Sequence, residues 1–229
     1  MKKIFLITVL FSSYAALAQQ EIVIIDKGDY KEKEIRLNDN TQAFKYAPLN
    51  ILAGEINFSY EKQVSQKGSV EIGLGPTISN IGIGINSHYI DPTTPSVAER
   101  SGMGFFTSVA YRYYPLDATE ALNRFYVSPI VKYKLMNSSF VDESGYLETM
   151  KSGDSRLNFY FNFGYQIWAS KSFCIDFYGG VGIGYRSYAE YRSESYYEDY
   201  EWKNKWMKIN HSGAQYVANM GIKVGIGIE

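Results

Sequence analysis

Between Phe173 and Arg186 the chain reads FCIDFYGGVGIGYR. Phe173, Ile175, Phe177, Val181, Ile183 and Tyr185 alternate with the small or polar Cys174, Asp176, Gly180, Gly182, Gly184 and Arg186. A side-chain period of two belongs to a β-strand, because successive Cβ atoms point to opposite faces, whereas a helix repeats every 3.6 residues. The glycines invite a second reading, a phosphate-cradling loop, and spacing excludes it. A dinucleotide fingerprint needs glycine at the first, third and sixth positions between a strand and a helix. Counting from Gly180, the third position is Gly182 but the sixth is Tyr185, and no Gly-Lys-Ser/Thr follows.

The same alternation recurs along the chain. Ile56, Phe58 and Tyr60 oppose Glu55, Asn57, Ser59 and Glu61, and Val70, Ile72, Leu74 and Ile78 oppose Ser69, Glu71, Gly73, Gly75 and Thr77. Further alternating runs begin at Met103, Phe125, Leu157 and Tyr216. Each has the ten or so residues that a tilted membrane-crossing strand requires. An even count needs one more strand, placed at Gln42 to Ile51, interrupted by Pro48 and followed by a tight turn at Leu52 to Gly54. Short links (Gln63 to Gly68, Pro115 to Arg124, Ala169 to Ser172) take turns with long polar ones (Ile81 to Ser101, Asn137 to Arg156, Ser187 to Ser212). Short turns on one side and long loops on the other are the layout of an outer-membrane barrel. The expected fold is all-β: an eight-stranded antiparallel up-and-down transmembrane β-barrel over residues 42–229.

The aromatic positions fit that layout. Tyr60, Tyr111, Tyr113, Phe125, Tyr165 and Phe173 fall at the expected periplasmic strand ends, and Phe105, Tyr133, Phe159, Tyr185 and Tyr216 at the outer ends. Two aromatic girdles mark the two interfaces of a bilayer. In a soluble barrel the outward face would instead be the Gly, Ser and Asn face, which is poor in the Lys and Glu that solvate strand exteriors.

The N-terminus reads MKKIFLITVLFSSYAALAQQ: a basic pair, an apolar run too short to span a bilayer as a helix, and Ala16-Leu17-Ala18. This order is that of a signal peptide, 1–18, cleaved after Ala18. Residues 19–41, with KGDYKEKEIR, read as a periplasmic lead-in.

The formal net charge of −1 gives no electrostatic footprint for nucleic acid. Cys174 is alone, so no intramolecular disulfide forms, and no His or Cys spacing suits zinc. No cofactor motif is present. Two histidines occur, His88 and His211. His211-Ser212 is the one pair that suggests a lipid-modifying enzyme, but neighbours on a strand point to opposite faces. No third group that would orient the histidine is identifiable.

The inward face carries Glu55, Glu61, Glu71 and Asp176 against Arg112, Lys132, Lys134, Arg186 and Lys223. Buried charges must be paired, so this near balance predicts an ion-pair network that plugs a narrow lumen. A selectivity lining for a narrow pore is the alternative. The last outer loop gathers Tyr188, Tyr191, Tyr196, Tyr197, Tyr200, Trp202 and Trp206 among charged residues. Such composition suits a contact surface. A twisted hairpin continuing strands seven and eight, with tyrosines packed across the pair, is the other reading, and alternation as far as Glu194 favours it.

The segments LNILAGEINFSYEKQVSQKGSVEIGLGP and FYVSPIVKYK, the latter after a strand ending AYRYYP, resemble the small outer-membrane β-barrel proteins of Bacteroidota. The resemblance covers Gln42 to Glu229 and implies the eight-stranded barrel of the OmpA and OmpX kind, in a family whose members largely lack an assigned activity. The chain closes on Gly-Ile-Glu where many outer-membrane barrels close on an aromatic. The expectation is an outer-membrane protein with lipid around it, monomeric, with a structural or surface-interaction role. A pore is the runner-up and a lipid-modifying enzyme the third reading.

Overall fold

The computed structural model describes residues 40–79, 97–116, 121–142, 149–198 and 200–228. The segment expected as signal peptide, residues 19–39 of the expected lead-in, His88 and most of the link from Ile81 to Ser101 lie outside them. The strands are β1 (Gln42–Ala47), β2 (Asn57–Ser65), β3 (Gly68–Ile78), β4 (Val97–Ser101), β5 (Met103–Tyr113), β6 (Arg124–Asp142), β7 (Met150–Trp168), β8 (Phe173–Glu198) and β9 (Glu201–Ile228). Eight of them form a closed antiparallel ring in the order β1-β2-β3-β5-β6-β7-β8-β9, with β9 returning to β1. The ninth, β4, is separated from β5 by Gly102 alone and continues that strand upward along β6, from Ser101 opposite Ser138 to Val97 opposite Asp142, with Gly102 N–H donating to Asn137 O at 2.9 Å across the break.

One circuit of cross-strand partners fixes the geometry. It runs Phe44, Tyr60, Ile72, Val109, Val131, Phe159, Ile183 and Tyr216. The other neighbour of Phe44 on β9 is Ile226, so the circuit closes with a stagger of ten residues. Such a stagger tilts the strands, typically by roughly 35–45°, and eight strands leave an interior that side chains can fill. Because the stagger is even, every residue on the circuit shares one face, and all are apolar or tyrosine. A slip of one residue would carry each apolar set to the other side.

The wall is inside-out relative to a water-soluble protein. Phe105, Phe163, Val181, Tyr216 and Met220 point outward, and Met220 is 77 % exposed. Lys45, Glu61, Arg112, Gln166 and Asp176 are buried in the lumen. Inward glycines let neighbouring strands close on a filled interior. At Gly182 an added Cβ would run into the Phe159 carbonyl oxygen and lie 2.9 Å from Tyr160 Cα.

Two expectations are corrected. The first strand ends at Ala47 rather than Ile51, because Pro48 lacks the N–H a ladder needs. Pro48–Ala53 instead forms a 3₁₀ segment. Gly54 ends it in the left-handed region (φ 72°), donating its N–H to the Ile51 carbonyl at 2.9 Å. Much of the expected long loops is strand: β6 and β7 pair up to Phe140 opposite Met150, and β8 and β9 up to Glu198 opposite Glu201. Beyond the apolar band the outward face becomes polar, so the sequence alternation stops while the hydrogen-bonded ladder continues and, in the β6–β7 hairpin, one face stays buried at Ser138, Phe140, Ser152 and Asp154.

Candidate functional site

The lumen is built in layers from the short-turn end upward. The lowest is apolar. Ala43, Tyr114, Ala121, Leu122, Tyr126, Trp168 and Cys174 form a buried cluster. The β5–β6 turn folds across this end with Leu122 in the left-handed region (φ 68°), and its carbonyl accepts from Trp168 Nε1 at 2.6 Å. Backbone bonds tie the turns together, Tyr114 N–H to Lys67 O and Ala121 N–H to Gln66 O, both at 2.9 Å. Asn40 closes the rim, donating from Nδ2 to Lys171 O at 2.5 Å.

Above it lies an ionic layer to which every ring strand contributes. Lys45 on β1 donates from Nζ to Glu61 Oε2 (2.5 Å), Gln166 Oε1 (2.9 Å) and Asp176 Oδ2 (3.0 Å). Arg112 on β5 donates from Nη1 to Asp176 Oδ2 at 2.7 Å and from Nη2 to Glu71. Lys223 on β9 donates to the other oxygen of Glu71. Hydroxyls take up remaining carboxylate lone pairs: Tyr114 to Glu61 (2.8 Å), Ser69 to Glu61, and Tyr126 on β6 to Asp176 (2.7 Å). The Arg112 guanidinium also sits 4.3 Å over the Tyr126 ring. Lys45, Arg112 and Lys223 thus meet Glu61, Glu71 and Asp176 with equal numbers of each sign, as buried charge requires.

Higher up, Glu55 holds Lys132 at 2.5 Å and Lys134 at 3.1 Å. Lys134 also donates to Ala53 O at 2.8 Å, and the Lys132 ammonium lies 4.9 Å from the Phe106 ring centroid. A third group sits above the last outward apolar residue of β7, Leu157. There the Asp154 carboxylate takes Arg156 Nη2 at 2.5 Å and Arg186 Nη2 at 2.8 Å. Burial opposes the charge of Asp154, but hydrogen bonds from Arg156 and Arg186 outweigh it and hold the carboxyl below the usual aspartate range.

The nine inward charges read from the sequence therefore form three groups rather than one network. Glu61, Glu71, Arg112, Asp176 and Lys223 meet in the lower layer, Glu55, Lys132 and Lys134 in the middle one, and Arg186 in the upper one. Lys45, the centre of the lower layer, was missed. Its parity between Phe44 and Tyr46 was the available signal, on the strand that Pro48 made hardest to delimit. Asp154 and Arg156 were missed because that stretch read as loop.

The aromatic stretch is a paired hairpin. Tyr188 stacks on His211 with ring centroids 4.9 Å apart, and Tyr191 meets Trp206 edge-on at 6.3 Å and Phe140 at 5.7 Å. Lys205 lies 5.0 Å over Tyr196. Trp202 pairs with Tyr197 in the ladder. Tyr197 is exposed, and Tyr200, at the tip with φ 66°, is 92 % exposed. His211 is opposite Tyr188 and Ser212 opposite Ser187, so the two side chains leave opposite faces of the hairpin and make no base–nucleophile pair. His211 Nε2 lies 3.4 Å from Glu190 instead. Among the described residues no group of three or more His, Cys, Asp or Glu could hold a metal ion.

No known protein family, no curated protein and no solved structure matches this chain.

Proposed function

We propose that this chain is an integral outer-membrane β-barrel with a structural or surface-interaction role, its lumen closed by charge pairing and its tall hairpins serving as the contact surface. The observation that carries the reading is the inversion of polarity: ion pairs fill the interior while a continuous apolar band faces outward. Water would penalise that exposure, and a bilayer rewards it. The signal-peptide order of residues 1–18 and the resemblance to small Bacteroidota barrels support export to that membrane. Heat-modifiable gel mobility of the outer-membrane fraction tests the placement: the unboiled chain migrates as a compact species and shifts on boiling. A chain found in a soluble fraction without a shift would overturn it. Trimming residues 189–208, with the shift retained, abolishes surface binding if the hairpin is the contact surface.

A narrow pore is the second reading, favoured by one observation. Asn57 Oδ1, Ser59 Oγ, Ser128 Oγ and Asn162 Oδ1 are buried in the lumen without a hydrogen-bond partner among the described residues. Groups of this kind are ordinarily met by water. The apolar cluster and the ionic layer lie across the path such water would follow. Conductance in a planar bilayer would decide for the pore.

A further inference from the structure

Gly179 is a glycine without a packing reason. Inward glycines such as Gly180 and Gly182 are needed because an added Cβ would run into the neighbouring strand. Gly179 faces outward in the apolar band, between Phe177 and Val181, and a Cβ there would find its nearest atoms, Asn219 O and Met220 Cβ, at 4.0 Å. Glycine in a strand interior costs stability, so where neither backbone nor packing demands it, close approach of a ligand is the remaining use.

The surroundings match that use. Gly179 is the floor of an open groove of about 730 Å³, walled by Phe163, Phe177, Met220 and Ile222 and ending at Leu49 and Leu52. No charged side chain lines it. Its upper end reaches a place where the wall is not ordinary sheet. The β1–β9 ladder stops at Tyr46 opposite Val224, and β9 continues upward paired with β8 alone. The 3₁₀ segment Pro48–Ala53 stands beside it there, with Leu49, Ile51 and Leu52 exposed. Asn50 turns inward and accepts from Tyr178 OH at 3.0 Å.

We propose that this groove seats one acyl chain of a membrane lipid, running from the 3₁₀ segment down over Gly179. The proposal rests on the membrane reading above. It goes further in that one lipid is held at a defined place rather than exchanging as part of a uniform annulus. A long, uncharged trough continuous with the apolar band fits an extended hydrocarbon chain. A strand of another chain would need the backbone edge that the outward face of β8 does not offer.

The test is retention of palmitoyl-oleoyl phosphatidylethanolamine by the full chain, extracted in mild detergent and weighed by native mass spectrometry. The wild type and Val181→Phe, which enlarges the band outside the groove, each keep one lipid per barrel. Gly179→Phe and Gly179→Leu fill the trough and lower the retained fraction about tenfold, the effect of displacing a few buried methylenes. Boiling-dependent gel mobility certifies that each variant is folded, and Gly179→Leu serves if the phenylalanine variant is not. Equal retention in all four proteins, no lipid on the folded wild type, or a dimer mass in place of the lipid would overturn the proposal. If instead the wild type fails to float with vesicles of the same lipid, the membrane reading falls and this one with it. Flotation without a difference in retention removes only the groove.

Discussion

The lower lumen and the tall hairpins are made of the same ladder, yet they are held in different ways. In the lower lumen a side chain such as Asp176 meets partners from β1, β5 and β6, far apart in sequence, and is fully buried. In the β8–β9 hairpin a residue such as Tyr188 or Tyr196 leans chiefly on the strand opposite, and water reaches much of the surface. Redundant contacts under low dielectric make the first region rigid and intolerant. Pairwise contacts in water make the second open to change. The difference suits a scaffold below and a variable surface above.

Three substitutions can break or sharpen that contrast. Asp176→Leu strands Lys45 and Arg112 beside a missing carboxylate, and losing one member of a buried ion group costs about 3–5 kcal/mol. Urea unfolding of the vesicle-inserted barrel, read by gel mobility, measures it; a loss near zero would mean that water already shares the layer. Gly182→Ala forces a methyl against the backbone of Phe159 and Tyr160 and costs about 1–3 kcal/mol by overpacking. Gly213→Ala in the upper strand, where an added Cβ meets nothing within 4 Å, stays within about 0.5 kcal/mol. Similar losses for the two alanines in the same urea series would erase the contrast.

A local, pH-dependent effect is expected at Asp154. Its folded carboxyl titrates below the usual aspartate range, so its contribution is present above that range and is lost as pH falls through the folded value. Amide exchange in the upper parts of β7 and β8 rises at that acid end in the wild type. In Asp154→Asn it shows no such step, and a step of the same size in both would assign the acid response elsewhere.

How much of this was legible in the sequence follows from what each residue faces. Along Leu157 to Ile167 the outward face is apolar or aromatic throughout and the other face lines the lumen, so the period of two is unbroken and the strand is readable. From Asn137 to Arg156 the inward face stays buried at Ser138, Phe140, Ser152 and Asp154, but the outward face turns from apolar to polar (Asn137, Ser139, Lys151, Ser155), so the apolar/polar alternation that marks a strand is lost. The nine inward charges were readable from parity alone. Their grouping was not, because which of them share a level depends on the tilt and stagger of the closed ring. Lys45 and Lys223, for example, lie on strands at opposite ends of the chain, and only closure of β1 on β9 brings them into one layer. Parity places Gly179 on the outward face between Phe177 and Val181, but that no neighbour crowds it is visible only in the structure.

The ten-residue stagger carries a consequence for how such a chain can change over generations. Within the apolar band, gain or loss of a single residue in a strand inverts everything beyond it, setting lumen lysines on the outward face unless a bulge absorbs the extra residue. Gain or loss of two preserves the faces. Length in the lower wall is therefore inherited in steps of two, a counting rule imposed by closure. Above the band the β6–β7 hairpin keeps one buried face at Phe140, Ser152 and Asp154 and so obeys the same rule, whereas the described residues of the β8–β9 hairpin have no buried face, and that is the part whose length is free to drift by any number.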